Sequence, residues 1–152
     1  MNILITGHEG FIGTELWKKL STKHDLMGLD IKSGDDILTC DLPHPSVVEV
    51  VIHLAGIGGV RESLADPQKY WNNNVEGTKR LLNYYPNARI CVAGSSSQYE
   101  PHLNPYAASK NAIEYIPHDN DKISYSQFGN AVNVKMIERC ARFLINNDSL
   151  FE

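Results

Sequence analysis

Ile3-Leu4-Ile5-Thr6-Gly7-His8-Glu9-Gly10-Phe11-Ile12-Gly13 is the stretch that decides how this chain folds. The apolar run predicts a short strand over Asn2–Thr6, and glycine then recurs at every third residue. From Phe11 to Leu20, Ile12, Leu16 and Leu20 return every four residues, which is one face of a helix. A strand, a glycine turn and a helix in that order form an anion cradle. Gly7 permits the tight turn, Gly10 lets backbone approach a phosphate, and Gly13 allows the helix to pack closely on the strand. The free amides of the first helical turn then face the anion.

Working outward, Leu26–Asp30 reads as a second strand that ends on Asp30. A carboxylate there accepts both hydroxyls of an adenosine ribose and repels a 2′-phosphate, which favours NAD over NADP. Lys32 weakens that preference slightly. Asp36–Cys40 reads as another short strand, and Val47–Ala55 as a strand buried on both faces. Asp66-Pro67 opens a helix that runs through Tyr70, Val75 and Leu81-Leu82 to about Tyr85. Ala88–Ala93 is the next strand, and Pro105 starts a short helix that Pro117 ends. Lys122–Gln127 reads as a sixth strand and Val132–Ile145 as a final helix. This alternation predicts an α/β fold, a doubly wound and mostly parallel Rossmann-like sheet, as a single domain over residues 1–152.

A second motif, Tyr106-Ala107-Ala108-Ser109-Lys110, puts a phenol and an ammonium one helical turn apart. With seven Tyr and nine Lys in the chain, chance alone supplies about 0.4 such pairs, so the setting must carry the argument. Ser95-Ser96-Ser97 follows the strand Ala88–Ala93, and ligand sites of open sheets form beyond the carboxyl ends of strands. A free phenol titrates near pH ~10, but a neighbouring ammonium and a nicotinamide ring both favour its phenolate. Tyr106 is thus the candidate general base, Lys110 its electrostatic partner and ribose anchor, and Ser97 a hydrogen-bond donor to the reacting oxygen.

Composition narrows the setting. Hydrophobic residues make up 42% and charged residues 21%, and the net charge of −4 leaves no electrostatic footprint for nucleic acid or an anionic membrane. Cys40, Cys91 and Cys140 form no Cys-x-x-Cys pair, which argues against a disulfide framework or a metal site and for a reducing compartment. Met1 runs directly into strand pattern without a leader, and no apolar run approaches membrane-spanning length. A cytoplasmic location is expected.

In order along the chain, Thr6–Gly13, Asp30, Asp41-Leu42, His53-Leu54-Ala55-Gly56, Asn74-Val75-Glu76-Gly77-Thr78, Ser95–Ser97 and Tyr106–Lys110 resemble the extended short-chain dehydrogenase/reductases, specifically the nucleotide-sugar epimerases and dehydratases. The resemblance implies NAD held by Gly7, Gly10, Phe11, Ile12, Gly13 and Asp30, with Asp41 and Leu42 flanking the adenine. Leu54, Ala55 and Gly56 would line the phosphates and ribose, and Asn74 would support the active-site helix. Ser97, Tyr106 and Lys110 match the family's catalytic triad, and Tyr106 and Lys110 also touch the cofactor. Phe128 would adjoin the cofactor, and Ser96 and Asn130 the sugar nucleotide.

Gly59-Val60-Arg61-Glu62-Ser63 through Asp66-Pro67 and Tyr70 is most similar to the hexose and hexuronate 4-epimerases, and Gln98-Tyr99 stand where 4,6-dehydratases carry an Asp-Glu pair. The resemblance implies that family members continue into a C-terminal substrate domain, which this chain is expected to lack, and that they separate Ser97 and Tyr106 by more residues. The expected activity is NAD-dependent epimerisation of a UDP-hexose or hexuronate. A non-catalytic NAD-binding module and a small-carbonyl reductase are the alternatives. A homodimer through the helices 67–85 and 105–116 is expected.

Overall fold

The computed structural model describes residues 1–116 and 123–126. Five strands, β1 (Asn2–Thr6), β2 (Asp25–Leu29), β3 (Val50–His53), β4 (Arg89–Ala93) and β5 (Ile123–Ser126), form one all-parallel sheet in the order β2-β1-β3-β4-β5. The helices are α1 (Phe11–Leu20), α2 (Val60–Ala65), α3 (Pro67–Trp71), α4 (Gly77–Tyr84) and α5 (Pro105–Ile113). Thr6 pairs with Leu29 on one side and His53 on the other, and His53 pairs with Val92. The residues that follow these ends therefore share one rim, and the chain reverses its winding direction between β1 and β3. That is where a parallel sheet opens a ligand crevice.

Both faces of the sheet are apolar, as a parallel sheet requires. Ile3, Ile5, Val50 and Ile52 point to one face and pack with Leu16 and Leu20 of α1. Leu4, Val51, Ile90 and Val92 point to the other, beneath Leu81 and Leu82 of α4 and Ile113 of α5. The alternation of strand residues between two clusters follows from the period of two.

Several expectations need correction. Asp36–Cys40 is a turn, not a strand. The Asp36 carboxylate accepts the Leu38 amide at 2.9 Å, while Thr39 and Cys40 amides return to the Asp36 carbonyl. Asp36 thus offers the backbone local bonds in place of a ladder. The strand expected over Val47–Ala55 shrinks to β3, because Pro45–Val47 winds into a 3₁₀ turn. The helix expected from Asp66-Pro67 to Tyr85 is α3 and α4 joined by a π turn at Asn72–Glu76. Ile123–Ser126 is the fifth strand rather than the sixth. The helix expected over Val132–Ile145 lies outside the described residues.

Candidate functional site

The turn after β1 is closed so tightly that only glycine fits. Gly7 has φ +74°, and a Cβ on it would lie 2.8 Å from the Ala55 amide nitrogen. A Cβ on Gly13 would stand 2.2 Å from the Gly7 carbonyl oxygen. No side chain caps the N-terminus of α1, so its first amides are left uncapped. Ile12 packs into the smaller core, and Phe11 is exposed at the mouth of the turn.

Asp30 is buried at the end of β2, and each of its carboxylate oxygens accepts one backbone amide, from Glu9 at 2.9 Å and Lys32 at 3.0 Å. A carboxylate has about four acceptor positions, so it keeps capacity for a ribose diol. Lys32 turns its ammonium onto the Glu9 carbonyl at 2.8 Å. A cleft runs from Asp30 past Gly7 and Gly10 to Ala55, Gly56 and Asn73. Its outer wall is Asp35, Asp36 and Ile37, which sequence reading did not assign to the site. Asp41 and Leu42 lie further along the same loop and are not among the lining residues; Leu42 packs against the larger core.

Beyond the Gly56 end of the cleft stands α5. Asn104 caps it by accepting the Ala107 amide at 2.8 Å, and Pro105 fits the first helical position. Lys110 donates to the Ala93 carbonyl at the end of β4, 3.1 Å away. A Cβ on Gly56 would meet the Lys110 ammonium at 3.3 Å and Asn74 Oδ1 at 3.2 Å, so Gly56, Asn74, Ala93 and Lys110 converge. Burial lowers the Lys110 pKa to about 8. One turn earlier, the Tyr106 ring sits edge-on to Tyr70 with centroids 6.3 Å apart.

Ser97 lies half-buried in a 3₁₀ turn, Ser96–Tyr99, that packs directly against α5. Buried Ser95 caps this turn by accepting the Ser97 amide, and Ser96 is exposed. Buried Gln98 locks the turn to the helix: its amide bonds the Glu114 carboxylate, and Asn111 donates to its carbonyl at 3.0 Å. The short separation between Ser97 and Tyr106 is thereby bridged by side chains rather than by loop length. Phe128 and Asn130 lie outside the described residues.

A buried polar chain links the two ends. The Ala55 amide donates to Thr6 Oγ1, whose hydroxyl donates to His53 Nδ1 at 2.6 Å. Thr78 spends its own proton on the Asn74 carbonyl at 2.6 Å, so it must accept from His53 Nε2 at 3.0 Å. Asn74 then grips Ile57 through both its amide and its carbonyl, and donates to Ser109 at 3.0 Å. Ser109 closes the chain on the Tyr106 carbonyl at 2.8 Å. Burial, and secondarily the Lys110 charge, lowers the His53 pKa to about 3, so the ring is a neutral structural link and not a base.

The model of the NAD dependent epimerase/dehydratase family matches residues 3–124. The chain belongs to that family. UDP-glucose 4-epimerase 3 of Oryza sativa subsp. japonica is 33% identical over 111 residues, 62% of this chain and 29% of that protein. UDP-glucose 4-epimerase of Neisseria gonorrhoeae is 29% identical over 165 residues, 80% of this chain and 49% of that one. Among solved structures, MoeE5 in complex with UDP-glucose and NAD is similar with a TM-score of 0.68 and 26% identity, covering 85% of this chain and 54% of that one. The chain spans about half the length of the Neisseria epimerase and of MoeE5.

For a member of the epimerase/dehydratase family the cofactor is NAD, and the residues present fit it. The cradle at Gly7 and Gly13 has no room for a side chain, the first α1 amides are uncapped, and Asp30 keeps acceptor capacity. These are the residues that would hold a pyrophosphate and an adenosine ribose. Among the described residues no group of three His, Cys, Asp or Glu side chains is placed to hold a metal ion, and no helix is long and apolar enough to cross a membrane.

Proposed function

We propose that this chain carries the dinucleotide site and the proton-transfer residues of an NAD-dependent nucleotide-sugar 4-epimerase acting on a UDP-hexose or UDP-hexuronate. One observation carries the reading: Lys110, which shares a face of α5 with Tyr106, meets Gly56 in the wall of a cleft that Asp30 also lines. NAD, when bound, supplies a hydride acceptor that later returns the same hydride. Tyr106 takes the proton of the sugar 4-hydroxyl as general base. Lys110 would anchor the ribose on the nicotinamide side of bound NAD. Ser97 donates a hydrogen bond to the reacting oxygen and holds it beside Tyr106. Tyr106 then returns its proton to O4, and hydride delivered from bound NAD to the other face of C4 would invert that centre. Ser96 and Asn130 are assigned to the sugar nucleotide, and Phe128 to the cofactor.

The chain acts in the cytoplasm on this reading, which Cys40 and Cys91, in no disulfide among the described residues, support. It forms a homodimer through residues 67–85 and 105–116, where Trp71 and Tyr115 stand exposed. A monomeric mass at micromolar concentration would remove the dimer. The activity is tested by NMR-monitored conversion of UDP-, GDP- and dTDP-sugars with added NAD. A new epimer that disappears in Tyr106→Phe, while NAD affinity is retained, is expected. NAD binding without conversion of any sugar would contradict catalysis and leave a binding module.

A further inference from the structure

The connection from β2 to β3 contains two 3₁₀ turns and no ladder, yet Asp35, Asp36 and Ile37 within it wall the adenosine end of the cleft. A segment with so little structure of its own needs anchors from elsewhere. Arg80 on α4 supplies two: Nη1 donates to the Ile37 carbonyl at 2.7 Å, and Nη2 to the Cys40 carbonyl at 2.6 Å. One helical turn on, the Tyr85 hydroxyl donates to the Pro43 carbonyl at 2.8 Å. Between these bonds the Ile37 side chain packs on Gly77 so closely that a Cβ there would lie 2.8 Å from Ile37 Cγ2. The planar guanidinium spans two carbonyls at once, which the point charge of a lysine does less well.

We propose that Arg80 is a positioning residue for the cofactor. Without touching the nucleotide, it fixes the wall against which the adenosine is held. The inference rests on the reading of this cleft as the adenosine end of an NAD site. Calorimetric titration of the 152-residue chain with ADP, NAD and nicotinamide mononucleotide tests it. Arg80→Ala should weaken ADP and NAD by the same factor, about tenfold or more, and leave the mononucleotide unchanged. In turnover the KM for NAD should rise with kcat unchanged. Arg80→Lys should fall between the two. ADP affinity equal to wild type in Arg80→Ala overturns the proposal. If that variant does not fold, Arg80→Lys and Tyr85→Phe decide: a measurable loss of ADP affinity supports the proposal, and wild-type affinity in both overturns it. A wild-type chain that binds neither ADP nor NAD overturns the NAD reading and this inference with it.

Discussion

His53 and Lys110 are buried ionisable groups whose charged forms the fold disfavours, and each gives stability a sign that pH can read. The unfolded chain binds a proton on His53 below its ordinary value of 6.5, whereas the folded chain refuses it until about 3. Stability is therefore full above pH 6.5 and falls by about 1.4 kcal/mol per pH unit on descent through that window. His53→Gln should flatten this acid limb in urea titrations at pH 6 and 4, and an unchanged limb would refute the assignment. Lys110 carries its charge at neutral pH against a burial penalty, since its folded value is about 8 and its ordinary one 10.5. Lys110→Met should thus abolish turnover yet stabilise the chain at pH 7 by about 1–3 kcal/mol. The gap should close as pH rises from 8 toward 10.5, where the unfolded lysine also loses its proton. A variant less stable than wild type at pH 7 would contradict this. The placement of Tyr106 and Lys110 on one helix and of Asp30 at a strand end was legible in the sequence, because each sits at a fixed offset from a strand end or helix start. Gln98 and Arg80 were not, because their partners lie across elements that sequence spacing does not relate.

At the scale of elements, the glycine turn is the part that local sequence specifies most fully. Gly13→Ala places a Cβ against backbone atoms, 2.2 Å from the Gly7 oxygen and 2.6 Å from His8 Cα, with no flexible side chain to yield. The variant should lose about 2 kcal/mol or more in urea unfolding and bind NAD far more weakly. Wild-type stability and affinity would show that α1 can shift freely. Strands β1 to β4 and helices α1 and α5 were readable from their periodicity and their Pro or Gly punctuation. The π turn at Asn72–Glu76 was not, since Tyr70, Val75 and Leu81 suit an uninterrupted helix equally well. It is the contact of Asn74 with Ile57 and Ser109 that distinguishes the two paths. Asp36–Cys40 misled for the opposite reason: Ile37 and Leu38 look like strand residues, but Asp36 and Arg80 claim the backbone groups a ladder would use. Helix α2 went unread because six residues give too little period to detect.

At the scale of the molecule, the order β2-β1-β3-β4-β5 places the cradle, the acidic end of the cleft and the Tyr106 helix on one rim of the sheet. The family was legible because its motifs are spread in order over most of the chain, and the family model spans residues 3–124. The choice of sugar was not legible, because no residue that would grip it is held by a motif of its own. In the proposed reaction, hydride would leave C4 and return to it on the same cofactor molecule. UDP-glucose deuterated at C4 should be converted, in the presence of the chain and NAD, to UDP-galactose that keeps its deuterium. Product carrying solvent hydrogen at C4, or no conversion of UDP-glucose and UDP-glucuronate alike, would contradict it.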